Sequence, residues 1–419
     1  MITKTLAAGG EMGRAGRTKR WATAAVGLAL ASTALAACGD GGSSDAKAPG
    51  KSAGQSPAAS AKPSRPAFDP PVRFEGSAVE LPDAKQPSTA SGDATRPAVT
   101  LADGIAYVTA EEGLEAIDTQ TGDLRWESTT KHPAAKGGFG SDRAAPLVSA
   151  DGKTVYAAWG RNVKGEGTTP DRDAIEVEAV ETATGKTAWS AEVAVGASSV
   201  TAPRIIGVDA TTALVAAAGT TYAVYPSTGA LRWKKAQFSA VTLADGVVAG
   251  GESTGYGEGR LLGLAAVTGE QRWTLAEAKE PAAAASRLLS ATVADKTLVV
   301  DAVTGEQRAA LVGKGWRCRH DAQSLVLCSR YGYGEAERGI TVFDAASVQQ
   351  RWTLPGGSGR KVPKVSGFWH GAVYGEVGDE SIVLDGATGQ DRQTSAGAAP
   401  YEIDRYGGLV GTKFHPAAG

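Results

Sequence analysis

Cysteine is nearly absent, with three in 419 residues at positions 38, 318 and 328, which excludes a multi-disulfide scaffold and a cysteine-rich metal domain. Histidine is as sparse. His132, His320, His370 and His415 stand far apart, without the cysteine pairing or helical spacing of a metal centre. No Gly-x-Ser-x-Gly elbow or phosphate-cradling loop occurs, so the sequence offers no nucleophile or nucleotide site of those kinds. The acidic pairs Asp171/Asp173 and Asp379/Glu380 lack the alternating carboxylates and glycine of a calcium loop and read as solvated. No cluster of Lys and Arg is visible. Affinity for phosphate backbones depends on such clusters, so nucleic acid is not an expected partner. Past the N-terminal stretch no run of 18 apolar residues exists, which excludes a further spanning helix.

What is present begins with a leader. Lys4, Arg14, Arg17, Lys19 and Arg20 precede an apolar run from Trp21 to Ala37 that ends in Leu35, Ala36, Ala37 and Cys38. Small residues before a cysteine form a lipoprotein cleavage box, so residues 1–37 read as a signal peptide and Cys38 as the lipidated N-terminus. Residues 38–71 are mostly Gly, Ser, Ala, Pro, Lys and Asp, too polar to order themselves, and read as a disordered tether. Such a tether reaches roughly 30 Å, enough to hold a folded body just off a membrane that it contacts only through lipid. Without residues 1–37 the chain carries 38 basic and 44 acidic side chains, a net of −6.

From residue 72 to 419 the chain repeats. A turn close to [DE]-x-x-[TS]-G is followed four residues later by Trp or its substitute. The pairs are Gly122 with Trp126, Gly185 with Trp189, Gly229 with Trp233 and Gly269 with Trp273; then Gly305 with Ala309, Val348 with Trp352 and Gly389 with Gln393. Arg125, Arg232, Arg272, Arg308, Arg351 and Arg392 precede the final position in six of the seven. Successive turns lie 63, 44, 40, 36, 43 and 41 residues apart, the period of four strands plus turns. The fold class is therefore all-β, a single β-propeller of four-stranded antiparallel blades. Glycine supplies the positive φ of each turn, and each Trp is expected to cover the gap to the adjoining blade. A mean spacing of 44.5 residues fits almost eight times into the 348 residues from Val72 to Gly419. Eight blades, with Val72–Leu81 and Tyr401–Val410 as parts of one split blade, is the preferred count; seven with extra terminal strands is the alternative. Folding residues 320–324 as a hairpin turn sets Cys318 opposite Cys328, and an exported compartment favours a disulfide between them.

The Asp-x-x-Thr-Gly-x-x-x-Trp repeat resembles that of the PQQ-like (quinoprotein-dehydrogenase-like) propeller family. That family includes quinone-dependent dehydrogenases and non-enzymatic lipoproteins such as the outer-membrane barrel-assembly propeller. The lipoprotein branch implies a binding scaffold without cofactor or metal; the dehydrogenase branch implies adjacent cysteines over a quinone, a carboxylate-bound metal and a catalytic Asp. This chain has no adjacent cysteines and no corresponding acidic cluster, so the scaffold reading leads and a PQQ-dependent oxidoreductase is the alternative.

Units two, four and six carry expanded B-to-C connections, at residues 160–173, 251–260 and 329–338. In a propeller these emerge on one rim, where Arg161, Lys164, Tyr256, Arg260, Tyr331, Tyr333 and Arg338 would be displayed among glycines. Ordinary variation of solvent loops is the competing reading. The expected partner is a protein, peptide or envelope polymer, met on the extracytoplasmic face of a membrane.

Overall fold

Runs rich in Val, Ala, Leu and Thr, cut by Asp-Gly and Thr-Gly pairs, fold most readily as hairpins. Asp103 and Gly104, with φ of 49° and 78°, and Asp245 and Gly246, with 45° and 71°, give the left-handed pairs that tight two-residue hairpins require. The computed structural model describes residues 65–81, 98–134, 143–195, 203–255, 258–332, 334 and 337–419, among which there is no α-helix.

Eight four-stranded antiparallel sheets follow one another. Blades 1 to 7 span 99–127, 147–194, 204–235, 238–276, 278–312, 317–355 and 364–394, each with strands A to D in chain order. Blade 8 takes strands A to C from 402–416 and its outermost strand from Val79–Glu80. Strand A of every blade lies against strand A of the next, and Val99–Ala102 of blade 1 meets Glu402–Asp404 of blade 8, which closes the circle. Eight blades with one split between distant segments is thus the arrangement adopted. Val79 pairs with Phe414 and Glu80 with Lys413, and the Thr412 hydroxyl donates to Glu80 at 2.6 Å.

The core has no single centre. Eight apolar clusters each join two consecutive blades, from Tyr107 and Trp159 between blades 1 and 2 to Leu81, Val99 and Phe414 between blades 8 and 1. Each strand D tryptophan reaches across such a junction. The indole N–H of Trp126, Trp189, Trp233, Trp273 and Trp352 donates to a carbonyl in the C-to-D turn of the next blade, at Thr182, Pro226, Ala266, Ala302 and Gly386, over 2.8 to 3.2 Å. The same ring lies flat on that turn's glycine: a Cβ at Gly305 would meet Trp273 at 2.6 Å, and one at Gly389 would meet Trp352 at 2.7 Å. Gly389 therefore answers two demands, a φ of 73° and the absence of a side chain. At the closing junction Val79 takes the indole's place, 3.1 Å from a Cβ at Gly122.

Antiparallel alternation puts all A-to-B and C-to-D turns on one face and all B-to-C and D-to-A connections on the other. The first face bears a strap. Arg65 sits over the rings of Tyr406 and Phe414, 4.9 and 4.8 Å from their centroids, and donates to the Thr119 hydroxyl at 2.8 Å and the Tyr406 carbonyl at 2.9 Å. The Phe68 N–H donates to Arg405, and Asp69 pairs with His370. Composition extends the tether to Pro71, whereas Arg65, Phe68 and Asp69 within that stretch are bonded to the ring.

Candidate functional site

The expanded connections are not alike. In blade 2, Thr154–Val163 pairs with Arg172–Glu181 in unbroken register from Thr154 opposite Glu181 to Val163 opposite Arg172, leaving only 164–171 as loop. Blade 4 also extends its hairpin, pairing Val247–Gly255 with Glu258–Ala265, with a register shift between Ser253 and Gly255. Two of the three expected loops are thus lengthened hairpins. Only in blade 6, between Leu325–Arg330 and Gly339–Asp344, is the connection a true loop.

Arg161 is corrected most. It does not stand on the rim: it is 2% exposed, inside the junction between blades 1 and 2. The period-two alternation of Val155, Ala157 and Trp159 carries it inward, where its guanidinium lies 5.5 Å from the Trp159 ring and donates to the Glu111 carbonyl at 2.7 Å. Beside it Glu176 accepts the N–H groups of Lys131 and His132, and Glu178 accepts from the Ser128 hydroxyl at 3.2 Å. Burial, and then the neighbouring Glu176 carboxylate, push Glu178 up to about 7. Sequence reasoning missed both glutamates because strand C of a propeller is covered on both faces, so a carboxylate there has no exposed side.

Lys164 is on the rim, tied to Asp171 at 2.5 Å. Arg260 is held by Glu252 at 2.5 Å, and Lys235 of blade 3 holds the same carboxylate at 3.1 Å, which links blades 3 and 4. Burial works against the Glu252 charge, but the hydrogen bonds from Arg260 and Lys235 prevail and keep its pKa low. Tyr256 and Tyr333 lie outside the described residues. Tyr331 and Arg338 are brought together: the Arg338 guanidinium sits 4.3 Å from the centroid of the Tyr331 ring, which is 53% exposed.

Tyr331 and Arg338 also line a cavity of about 380 Å³ with residues that the sequence reading passed over, Arg360 and Lys361 of the D-to-A connection between blades 6 and 7. Two cations directly after Gly356, Gly357 and Gly359 were the available signal. Glu376, on strand B of blade 7, is the one carboxylate lining the cavity among the described residues.

Cys318 and Cys328 are bonded across strands A and B of blade 6, their Cα atoms 4.0 Å apart, and lie among Ala284, Leu288, Leu311 and Phe343 in the junction between blades 5 and 6. A bridge buried in an interblade core does not fit the adjacent-cysteine platform of a quinone site. Among the described residues no three His, Cys, Asp or Glu side chains gather as metal ligands.

A family model described as "Outer membrane protein assembly factor BamB" matches residues 173–317. No curated protein matches the chain. Solved structures with a similar course include BamB from Moraxella catarrhalis, at 15% identity and a TM-score of 0.45 over 77% of this chain and 91% of that one. Another is quinohemoprotein alcohol dehydrogenase ADHIIG from Pseudomonas putida HK5, at 12% and 0.43 over 78% and 67%. A third is the dihydro-heme d1 dehydrogenase NirN, at 15% and 0.48 over 84% and 77%. The family match runs from strand C of blade 2 to the start of blade 6, across the Trp-covered turns, so over these blades the chain is similar to that family, while the eight-bladed ring is the fold of the whole propeller.

Proposed function

We propose that this propeller is an exported, lipid-anchored lipoprotein that works without catalysis, binding a protein, peptide or polymer of the cell envelope on its B-to-C rim. The observation that carries the reading is the inequality of the two faces. One has tight turns and the strap from Arg65; the other projects two lengthened hairpins and a charged cavity. Strand B of blade 2 has ten residues against five in blade 1, an excess that extends the hairpin by roughly 16 Å at about 3.3 Å per residue. On the blade 2 and blade 4 hairpins Lys164 pairs with Asp171 and Arg260 with Glu252, contacts that favour a rigid surface for display.

Photo-crosslinking residues placed at Lys164, Arg260 and Tyr331 in living cells should yield a discrete adduct, while one at Lys153, in a tight turn of blade 2, should not. Equal yields from both faces, or none from the rim, would refute the reading. Cys38→Ala should release the protein from the membrane fraction.

A further inference from the structure

We propose that the cleft between blades 6 and 7 binds an extended acidic segment of a partner protein, its carboxylates at Arg338 and Lys361 and its aliphatic residues beside them. This rests on the rim reading above and names the chemistry of its partner.

Two cavities, of about 380 and 320 Å³, adjoin along Arg360, Lys361 and Val377. Arg360 serves as wall: it donates to the Gly389 carbonyl at 2.9 Å and to Asp391 at 2.7 Å. Among the described residues the other two cations have no carboxylate partner. Lys361 is exposed and has no ion pair among the described residues. Arg338 sits against the Tyr331 ring, and its buried Nε–H has no acceptor among the described residues. A buried donor without a partner is destabilising, and an incoming carboxylate would relieve that cost. A guanidinium fixed on an aromatic face presents its fork to a carboxylate with little ordering left to do.

The second cavity has a different character. There Arg360 and Lys361 are matched by Glu380 and Asp391, while Pro363, Ile382 and Leu384 add apolar wall. A cationic pocket beside a charge-balanced, partly apolar one fits a peptide with acidic residues followed by aliphatic ones. Glu376 and Glu380 along the same cleft oppose a dense polyanion such as a phosphate polymer. Gly357 and Gly359, whose Cβ positions face open space, leave the cleft mouth free of side chains.

The test uses the chain from residue 38 onward and a fluorescein-labelled peptide of alternating Glu and Leu, read by fluorescence anisotropy. The Glu peptide should bind at least tenfold more tightly than its Gln counterpart, a difference of about 1.4 kcal/mol. Arg338→Ala and Lys361→Glu should each weaken it about tenfold, the exposure of Lys361 making misfolding an inadequate explanation, and Lys153→Glu on the opposite face should leave it unchanged. Equal binding of the Glu and Gln peptides, or indifference to Lys361→Glu, overturns the proposal. So does displacement of the Glu peptide by millimolar inorganic phosphate, which would make the cleft a phosphate subsite. A partner captured from Lys164 as readily in the Lys361→Glu protein as in the parent overturns the cleft while the rim reading stands. Glu-selective peptide binding with no capture from any rim position overturns the rim reading and leaves the cleft.

Discussion

Ala309 and Val348 share the junction between blades 5 and 6, in the two places that a tryptophan and a glycine fill at the junctions on either side. Here neither the indole nor the glycine it would rest on is present, and a valine, 7% exposed, occupies the space that a ring would need. Val348 keeps the turn's left-handed backbone, with a φ of 58°, at the cost of strain that glycine would avoid.

This pairing predicts a coupled mutant cycle. Ala309→Trp alone overpacks against Val348 and should destabilise by about 1–3 kcal/mol. Val348→Gly alone removes a buried side chain beside a small one and should cost a similar amount, about 1–2 kcal/mol. Together they should recover most of the loss, with a coupling of at least roughly 1 kcal/mol in urea unfolding. Simple addition of the two losses would show that the positions are not matched.

The pH dependence of stability should carry a mark of Glu178. Its folded pKa is raised from 4.5 to about 7, so the neutral form is the one the junction favours. The stability it contributes is fully present below pH 4.5 and is lost as pH rises through about 7, by an amount of up to roughly 3 kcal/mol. Glu178→Gln should lack that decline and become more stable than the parent at pH 8 relative to pH 5. Parallel Tm curves for the two proteins from pH 4 to 8 would disprove it.

The Cys318–Cys328 bridge closes a short loop between residues already paired in register, with Arg317 opposite Ser329 and His320 opposite Val326 on either side. Its removal by Cys318→Ala with Cys328→Ala should lower stability by on the order of 2 kcal/mol while the sheet signal in circular dichroism persists. Collapse of the whole ring on reduction would contradict this local role.

Addition of pyrroloquinoline quinone with calcium should shift neither the Tm nor the cofactor's absorbance, since Cys318 and Cys328 are bonded within an interblade core. A saturable shift of either would restore the oxidoreductase reading.

The fold was legible because its signals are local: a glycine turn and a tryptophan four residues on can be read from one repeat. Their partnership was not, since Trp352 rests on Gly389 of the next blade, and no single repeat contains both halves. Where Tyr225 replaces the turn's usual acid, Arg232 lies 4.2 Å over its ring instead of pairing with a carboxylate as Arg351 does with Asp344 at 2.7 Å. That substitution is visible in sequence only once the two residues are known to face each other. The rim was legible in outline and misjudged in detail. Arg161 stood in a polar run that resembled a loop, yet its alternation with Val155, Ala157 and Trp159 already marked the inward face. Arg360 and Lys361 were passed over because a glycine-rich connector gives no periodic signal, and only the ring brings it beside Tyr331 and Arg338.

Blade 8 borrows its outermost strand from more than 300 residues upstream of the other three. A chain growing from its N-terminus must therefore hold Val79 and Glu80 in reserve until Lys413 and Phe414 exist. Until then the leading and trailing sheets each keep an uncovered border, open to pairing with any other extended chain. Completion is a single late event with a high contact order, and a protein secreted before that event would reach its compartment vulnerable to self-association.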